Sequence, residues 1–255
     1  MPHLTTSIAQ SKGPFHTYEF FPPRTEAGLV NLLDRIRRLA ATPLPAPLAV
    51  SVTWGAGGGT AERSLELAEQ IVKMGLDVIL HLTCTNMRKE KVDQALAVSL
   101  FHIGIDTLCL TTQKCRALGI HNVLALRGDP PRSEEYAVDS DPTPDFFNHA
   151  DDLVRYIKQE HGNWFCIGVA GYPTPHQDSE DVESDLHWLK IKCDAGAEFI
   201  ITQLFYDVDG FERWVKAVRA AGELFPALPV ICTDRNRYHS TNNTWCNAHT
   251  ELCVI

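Results

Sequence analysis

No stretch of this chain is apolar for long enough to span a bilayer. Its opening residues, MPHLTTSIAQSKGPF, contain no apolar signal core. Membrane and exported classes are therefore not expected, and a cytoplasmic chain is. Basic charge is also short. Lys and Arg total 23 against 32 Asp and Glu, for a formal net charge of −9. No basic field exists to steer nucleic acid or an anionic membrane, so an anionic ligand must be met by local cations. A disulfide framework is missing too. Eight Cys are scattered without a pairing pattern, which reads as reduced thiols. Cys246, His249 and Cys253 lack a fourth obvious partner, and no metal is expected there. The glycines of Gly55 to Gly59 do not make the G-x-G-x-x-G spacing of a dinucleotide fold. They read instead as a strand-to-helix loop near a ligand.

What the chain does have is an alternation of short apolar runs with helical periodicity. His16 to Phe21 reads as a first strand, stopped by Pro22-Pro23, and Glu19 sits inside it among aromatics. A carboxylate there is either paired structurally or held with a raised pKa by desolvation, as a general acid requires. Leu29, Leu32, Leu33, Ile36 and Leu39 recur at helical spacing. Leu48 to Trp54 is a second strand, followed by the glycine loop and a helix through Met74. Asp77 to Thr83, DVILHLT, is a third, its alternation broken near the end by His81 and Thr83. His121 to Pro131, HNVLALRGDPP, is a buried strand that ends in a cation, a glycine and a carboxylate. A fifth strand, Trp164 to Ala170, leads into Gly171-Tyr172-Pro173-Thr174-Pro175-His176. A helix from Asp181 to Ala195 follows, then a sixth strand, Phe199 to Phe205, interrupted by Gln203. A buried amide costs free energy unless hydrogen-bonded, so Gln203 is expected to face a ligand. A seventh strand starts at Leu228. Strand ends are where a parallel barrel keeps its catalytic groups, so the fold class expected is α/β, a TIM-type (β/α)8 barrel with about seven strands recognisable.

Two segments depart from this pattern. Val98 to Gln113 turns abruptly from charged helix to apolar, strand-like sequence. Removing it joins Ala97 to Lys114 and restores one amphipathic helix closed by Gly119. Val codons begin GT, one Gln codon ends AG, and the segment is a whole number of codons. It is read as a retained intron, the alternative being an extra surface hairpin. Cys232 to Ile255 shows neither helical nor strand periodicity. The chain thus divides into a loose N-terminal segment (1–14), a partial barrel (15–231) carrying the insert 98–113, and an aberrant tail (232–255).

The strand-end motifs resemble those of one family. Tyr18-Glu19-Phe20-Phe21-Pro22-Pro23, Ser51-Val52-Thr53-Trp54-Gly55-Ala56-Gly57-Gly58, His81-Leu82-Thr83-Cys84, Ala125-Leu126-Arg127-Gly128-Asp129-Pro130 and Ile201-Thr202-Gln203-Leu204-Phe205 are similar to methylenetetrahydrofolate reductase, in its eukaryotic, fungal-like catalytic domain. The resemblance runs from about Phe15 to Ile231, outside the insert.

It implies an FAD-dependent flavoprotein of one-carbon metabolism. Such an enzyme passes a hydride from NAD(P)H to 5,10-methylenetetrahydrofolate, and the 5-methyltetrahydrofolate formed supplies methionine biosynthesis. By resemblance Glu19 is the general acid and Asp129 lies between flavin and folate, where its charge stabilises the cationic intermediate. Both are also substrate contacts, and Gln203 hydrogen-bonds the pterin. Thr53, Trp54, Ala56, His81, Leu126, Arg127, Gly128, Asp129, Tyr172, His176, Asp185 and Lys192 match FAD-contacting positions. Arg127 and Lys192 supply the local positive charge a diphosphate needs. Trp188 and Ile191 stand where other members can carry polar FAD contacts. The implied partners are a small-molecule folate and, at most, further copies of the chain.

The resemblance also carries an expectation of loss. Without insert and tail the chain falls short of the roughly 250 residues of a complete barrel. The family's eighth strand, last helices and AdoMet-binding domain are expected to be absent. An impaired reductase, or a non-catalytic fragment or partner-binding subunit, are the two outcomes anticipated.

Overall fold

Apolar strands and one-sided helices assemble here into a single parallel sheet wrapped by helices. The structure is a computed structural model, and it describes residues 2–11, 15–41, 46–54, 60–84, 114–128, 147, 149–176, 179, 181–220, 230–232 and 252–254. The strands are β1 (Thr17–Phe20), β2 (Ala49–Val52), β3 (Val78–Thr83), β4 (Asn122–Leu126), β5 (Cys166–Gly171), β6 (Phe199–Thr202), β7 (Val230–Cys232) and β8 (Leu252–Val254). They lie side by side in sequence order, each parallel to its neighbour. The helices are α1 (Leu4–Gln10), α2 (Glu26–Ala40), α3 (Ala61–Lys73), α4 (Lys114–Leu118), α5 (Ala150–His161), α6 (Val182–Asp194) and α7 (Val208–Ala220). This is the winding of a (β/α) barrel. No ladder joins β8 to β1 among the described residues, so the barrel is incomplete.

Strand alternation divides the core into two parts. Val50, Val52, Val78, Leu80, Leu82, Val123, Val169 and Ile200 cluster with helix residues such as Leu33, Ile36, Ile71, Ile157 and Trp214. The opposite strand face forms a second, inner cluster of Ala49, Ile79, Leu124, Cys166, Phe199 and Ile201. Gly168 belongs to this design. A Cβ there would come within 2.2 Å of the Phe199 ring, so the glycine makes room for the largest inner side chain.

Three elements differ from the sequence reading. Residues 1–14 were expected to be loose, yet Leu4 to Gln10 form α1, and Leu4 and Ile8 enter the inner cluster. Their i, i+4 spacing puts both on one face, and burying each contributes roughly 1.5–3 kcal/mol. The Leu4 amide donates to Asn122 Oδ1 at 2.7 Å, and a His3 ring nitrogen meets the Trp164 carbonyl at 3.1 Å. The helix therefore closes the floor of the barrel, at the N-terminal ends of the strands. The second difference is β8. It arises from the tail read as lacking strand periodicity, because Leu-Cys-Val is too short to register as alternation. Its register pairs Val230 with Leu252 and Cys232 with Val254. The third is α7, a helix left unassigned although Phe211, Trp214 and Val218 mark a clear apolar face. The insert 98–113 lies outside the described residues. Of the helix expected to form without it, α4 and its closing Gly119, at φ +69°, are described.

Candidate functional site

At the C-terminal ends of the strands opens a cavity of about 540 Å³. Strand ends supply its inner wall. Thr53 and Trp54 follow β2, and His81 and Thr83 lie on β3. Leu126, Arg127 and Gly128 end and follow β4, and Gln203 follows β6. The outer wall comes from the Tyr172–His176 loop, the start of α5 and one side of α6. On α6, Asp185, Trp188 and Lys192 line the cavity; their i, i+3, i+7 spacing puts them on one helix face. Leu189, four residues after Asp185, flanks that face and is buried at 3% exposure. The side of α6 turned to the barrel therefore both packs and lines the cavity.

The local bonding shows what each group is prepared to do. Asp185 holds the loop: it accepts from the His176 amide at 2.8 Å and from Ser179 Oγ at 2.6 Å. Lys192 donates to the Ala170 carbonyl at 2.8 Å and lies 5.7 Å from the Tyr172 ring centre. Burial pushes its ammonium down to about 8, opposed by the charges of Cys193, Asp185 and Asp151. It is still mostly a cation near neutrality, held where an anion would be welcome. His81 is buried, and desolvation lowers its pKa to about 4, so the ring is neutral. His81 Nε2 and Trp54 Nε1 are both buried without a hydrogen-bond partner among the described residues. Buried polar atoms are normally satisfied. Two such atoms in one cavity wall point to a ligand with polar atoms of its own. Gly128 adopts φ +87°, and a Cβ there would meet Thr83 Cβ at 2.8 Å. The chain turns tightly past the cavity because no side chain intervenes.

Of the twelve positions expected to contact FAD, Thr53, Trp54, His81, Leu126, Arg127, Gly128, Tyr172, His176, Asp185 and Lys192 all line this one cavity. Ala56 and Asp129 lie outside the described residues, as does the rest of the Gly55–Gly59 loop. Gln203 lines the cavity but was expected to be buried within a strand. β6 stops at Thr202, so Gln203 is exposed at the mouth, its backbone N–H donating to the Gly171 carbonyl at 2.7 Å. Glu19 is on the same strand face as its register partner Ser51 but is not part of the cavity lining. It is exposed and has no ion-pair partner among the described residues, and desolvation raises its pKa. Of the two states expected for this carboxylate, the unpaired one with raised pKa is found. Phe21, His149, Asp151 and Ser179 also line the cavity and were not singled out in the sequence. Phe21 was legible by alternation, two residues beyond Glu19. His149 and Asp151 were not, because the start of α5 carries no motif.

The volume, the two cations and the unpartnered ring nitrogens fit a large, polar, anionic cofactor such as FAD. Comparison with known proteins agrees with the motifs. The family profile described as methylenetetrahydrofolate reductase matches residues 4–247, past the Ile231 at which the motif resemblance stops. Methylenetetrahydrofolate reductase 2 of Saccharomyces cerevisiae is 43% identical over 225 residues, covering 86% of this chain and 34% of that protein. Methylenetetrahydrofolate reductase 1 of Schizosaccharomyces pombe is 41% identical over 217 residues, covering 85% and 32%. The chain thus spans about a third of the length of these curated relatives. Among solved structures, a protein from Clostridium thermocellum described as binding two copies of 5-methyl-5,6,7,8-tetrahydrofolic acid superposes with a TM-score of 0.60. It is 14% identical and covers 90% of this chain and 69% of its own, a likeness of fold.

Proposed function

The chain belongs to the methylenetetrahydrofolate reductase family, and on that premise we propose that its strand-end cavity binds FAD for the reduction of 5,10-methylenetetrahydrofolate to 5-methyltetrahydrofolate by NAD(P)H. The observation that carries the reading is the convergence of Arg127, Lys192 and the unpartnered nitrogens of Trp54 and His81 on one cavity. When bound, the flavin would accept a hydride from the nicotinamide and deliver it to the folate. The residues of the chain supply the remainder. Lys192 and Arg127 offset the negative charge of a diphosphate. Neutral His81 and the Trp54 N–H give hydrogen bonds that water does not provide in a buried wall. Gly128 lets the backbone pass close to the ligand.

Glu19 is the general acid in this reading. Its raised pKa keeps a larger fraction protonated near neutrality, and its exposure leaves the carboxyl open to a ligand. Gln203, exposed in the cavity lining, hydrogen-bonds the pterin, and Asp129 stabilises positive charge on the folate. The product serves methionine synthesis. The four described cysteines, Cys84, Cys115, Cys166 and Cys193, are free thiols, which supports a reducing, cytoplasmic setting.

The test separates the two half-reactions. Glu19→Gln should abolish folate reduction while flavin reduction by NAD(P)H continues, since only the folate half needs a proton from the enzyme. Equal loss of both would assign Glu19 a structural role. A second reading, a non-catalytic form that binds a partner, is favoured by the absence of a ladder between β8 and β1 among the described residues. A purified chain showing no flavin absorbance after FAD is added would select it.

A further inference from the structure

At the floor of the barrel, on the face opposite the cavity, three side chains of metal-binding type come together. His3 precedes α1, Cys166 opens β5 and Glu198 precedes β6. One ligand atom from each lies within 4.8 Å of the other two. We infer that His3, Cys166 and Glu198 form a site for a borderline-soft divalent cation of the zinc class, which staples α1 to the floor of the barrel. Imidazole, thiolate and carboxylate together are a donor set suited to zinc.

The surroundings already do what metal sites require. One ring nitrogen of His3 lies 3.1 Å from the Trp164 carbonyl, which fixes the ring and leaves Nδ1 directed at Glu198 Oε2, 4.0 Å away. An imidazole oriented through its other nitrogen is the usual support for a ligating histidine. Glu198 uses Oε1 to pair with Lys158 at 2.5 Å, so its second oxygen is left for a cation. Cys166 Sγ has the Thr5 hydroxyl at 3.7 Å. Tetrahedral coordination with bond lengths of about 2.0–2.3 Å sets ligand atoms about 3.3–3.8 Å apart. Contraction of about 1 Å is needed, and His3 and Glu198 are only half-buried, so rotation of their side chains can supply it. A water completes the fourth position. Binding displaces the thiol proton to solvent as the sulfur–metal bond forms, so affinity rises with pH.

The assignment stands apart from the flavin reading and uses none of its residues. Its test titrates the purified full chain with Zn2+ against a chromophoric chelator, and with Co2+ to record the thiolate-to-metal charge-transfer band. One equivalent should bind, with the band present and the thermal midpoint raised, as for any ligand selective for the folded state. Cys166→Ser, His3→Gln and Glu198→Gln should each weaken binding at least about tenfold, and Cys166→Ser should remove the band. Cys246→Ser with Cys253→Ser should change neither. His3→Gln lies at a half-buried helix start and keeps a donor for Trp164, so it does not depend on the core refolding. Absence of binding overturns the assignment. So does retained affinity in any one of the three ligand variants, or loss of the band in the tail double variant.

Discussion

The two ends of the sheet are built from the same strands and face different tasks. At the floor, α1 fills the space between strands with Leu4 and Ile8, and its polar groups bond to Asn122 and Trp164. At the mouth no comparable element enters among the described residues. Trp54 and His81 keep buried nitrogens unpartnered among the described residues, and Lys192 keeps a desolvated charge. Several floor groups satisfy one another, although His16 Nε2, Thr17 Oγ1 and Trp164 Nε1 there also lack hydrogen-bond partners among the described residues. What sets the mouth apart is that its unpartnered nitrogens and its desolvated cation line an open cavity. Stability therefore concentrates at one end and function at the other, as barrels generally divide them.

The largest expected effect breaks the floor. Leu4→Ala leaves a cavity beneath the inner cluster and should cost about 2–5 kcal/mol in urea unfolding. FAD affinity of the folded fraction should stay unchanged. A parallel loss of affinity would join the two ends that are separated here.

Acid should distinguish the ends next. His81 is held at about 4 by burial, against 6.5 when free. The unfolded chain then binds more protons than the native one between those values, so stability is full above pH 6.5 and declines as pH falls toward 4. The contribution is roughly 3 kcal/mol. His81→Gln should flatten that part of a stability-versus-pH curve, and an unchanged slope would show that His81 is not the group responsible. Gly168→Ala probes the middle of the barrel instead. Its Cβ overlaps Phe199, and overpacking of this kind costs about 1–3 kcal/mol. Gly168→Ala with Phe199→Leu should recover part of the loss.

The smallest stability effect belongs to Lys192→Met. Removing a desolvated cation should leave thermal stability level or slightly higher, yet lower the affinity for an anionic ligand about tenfold or more. Because Lys192 loses its proton near pH 8, affinity in the unsubstituted chain should fall as pH rises through 8. The variant should show no such step.

How much of this was legible in the sequence depends on how each element announces itself. α2 was readable from Leu29, Leu33 and Ile36 repeating at helical spacing, whereas its Thr25 cap, which accepts from the Gly28 amide, shows only in the structure. The cavity wall was readable because polar residues interrupt apolar strands at Thr53, His81 and Arg127. α1 was not, for two buried residues among seven are a faint stripe. β8 was not, because a three-residue strand has no period. Gln203, expected to be buried and to face a ligand, lines the cavity but is exposed, since composition does not reveal that β6 ends at Thr202 rather than Phe205. The partnering of Asp185 by His176 and Ser179 depends on tertiary closure, and no spacing rule contains it.

The division between the two ends is tested most directly by titrating FAD into the purified 255-residue chain. Flavin fluorescence would be followed in parallel for Lys192→Met, Trp54→Phe and Leu4→Ala, each measured where the protein is folded. The expected result is one FAD per chain, weakened about tenfold or more by either mouth substitution and untouched by Leu4→Ala. Absence of binding would contradict the account, as would binding that both mouth variants retain in full.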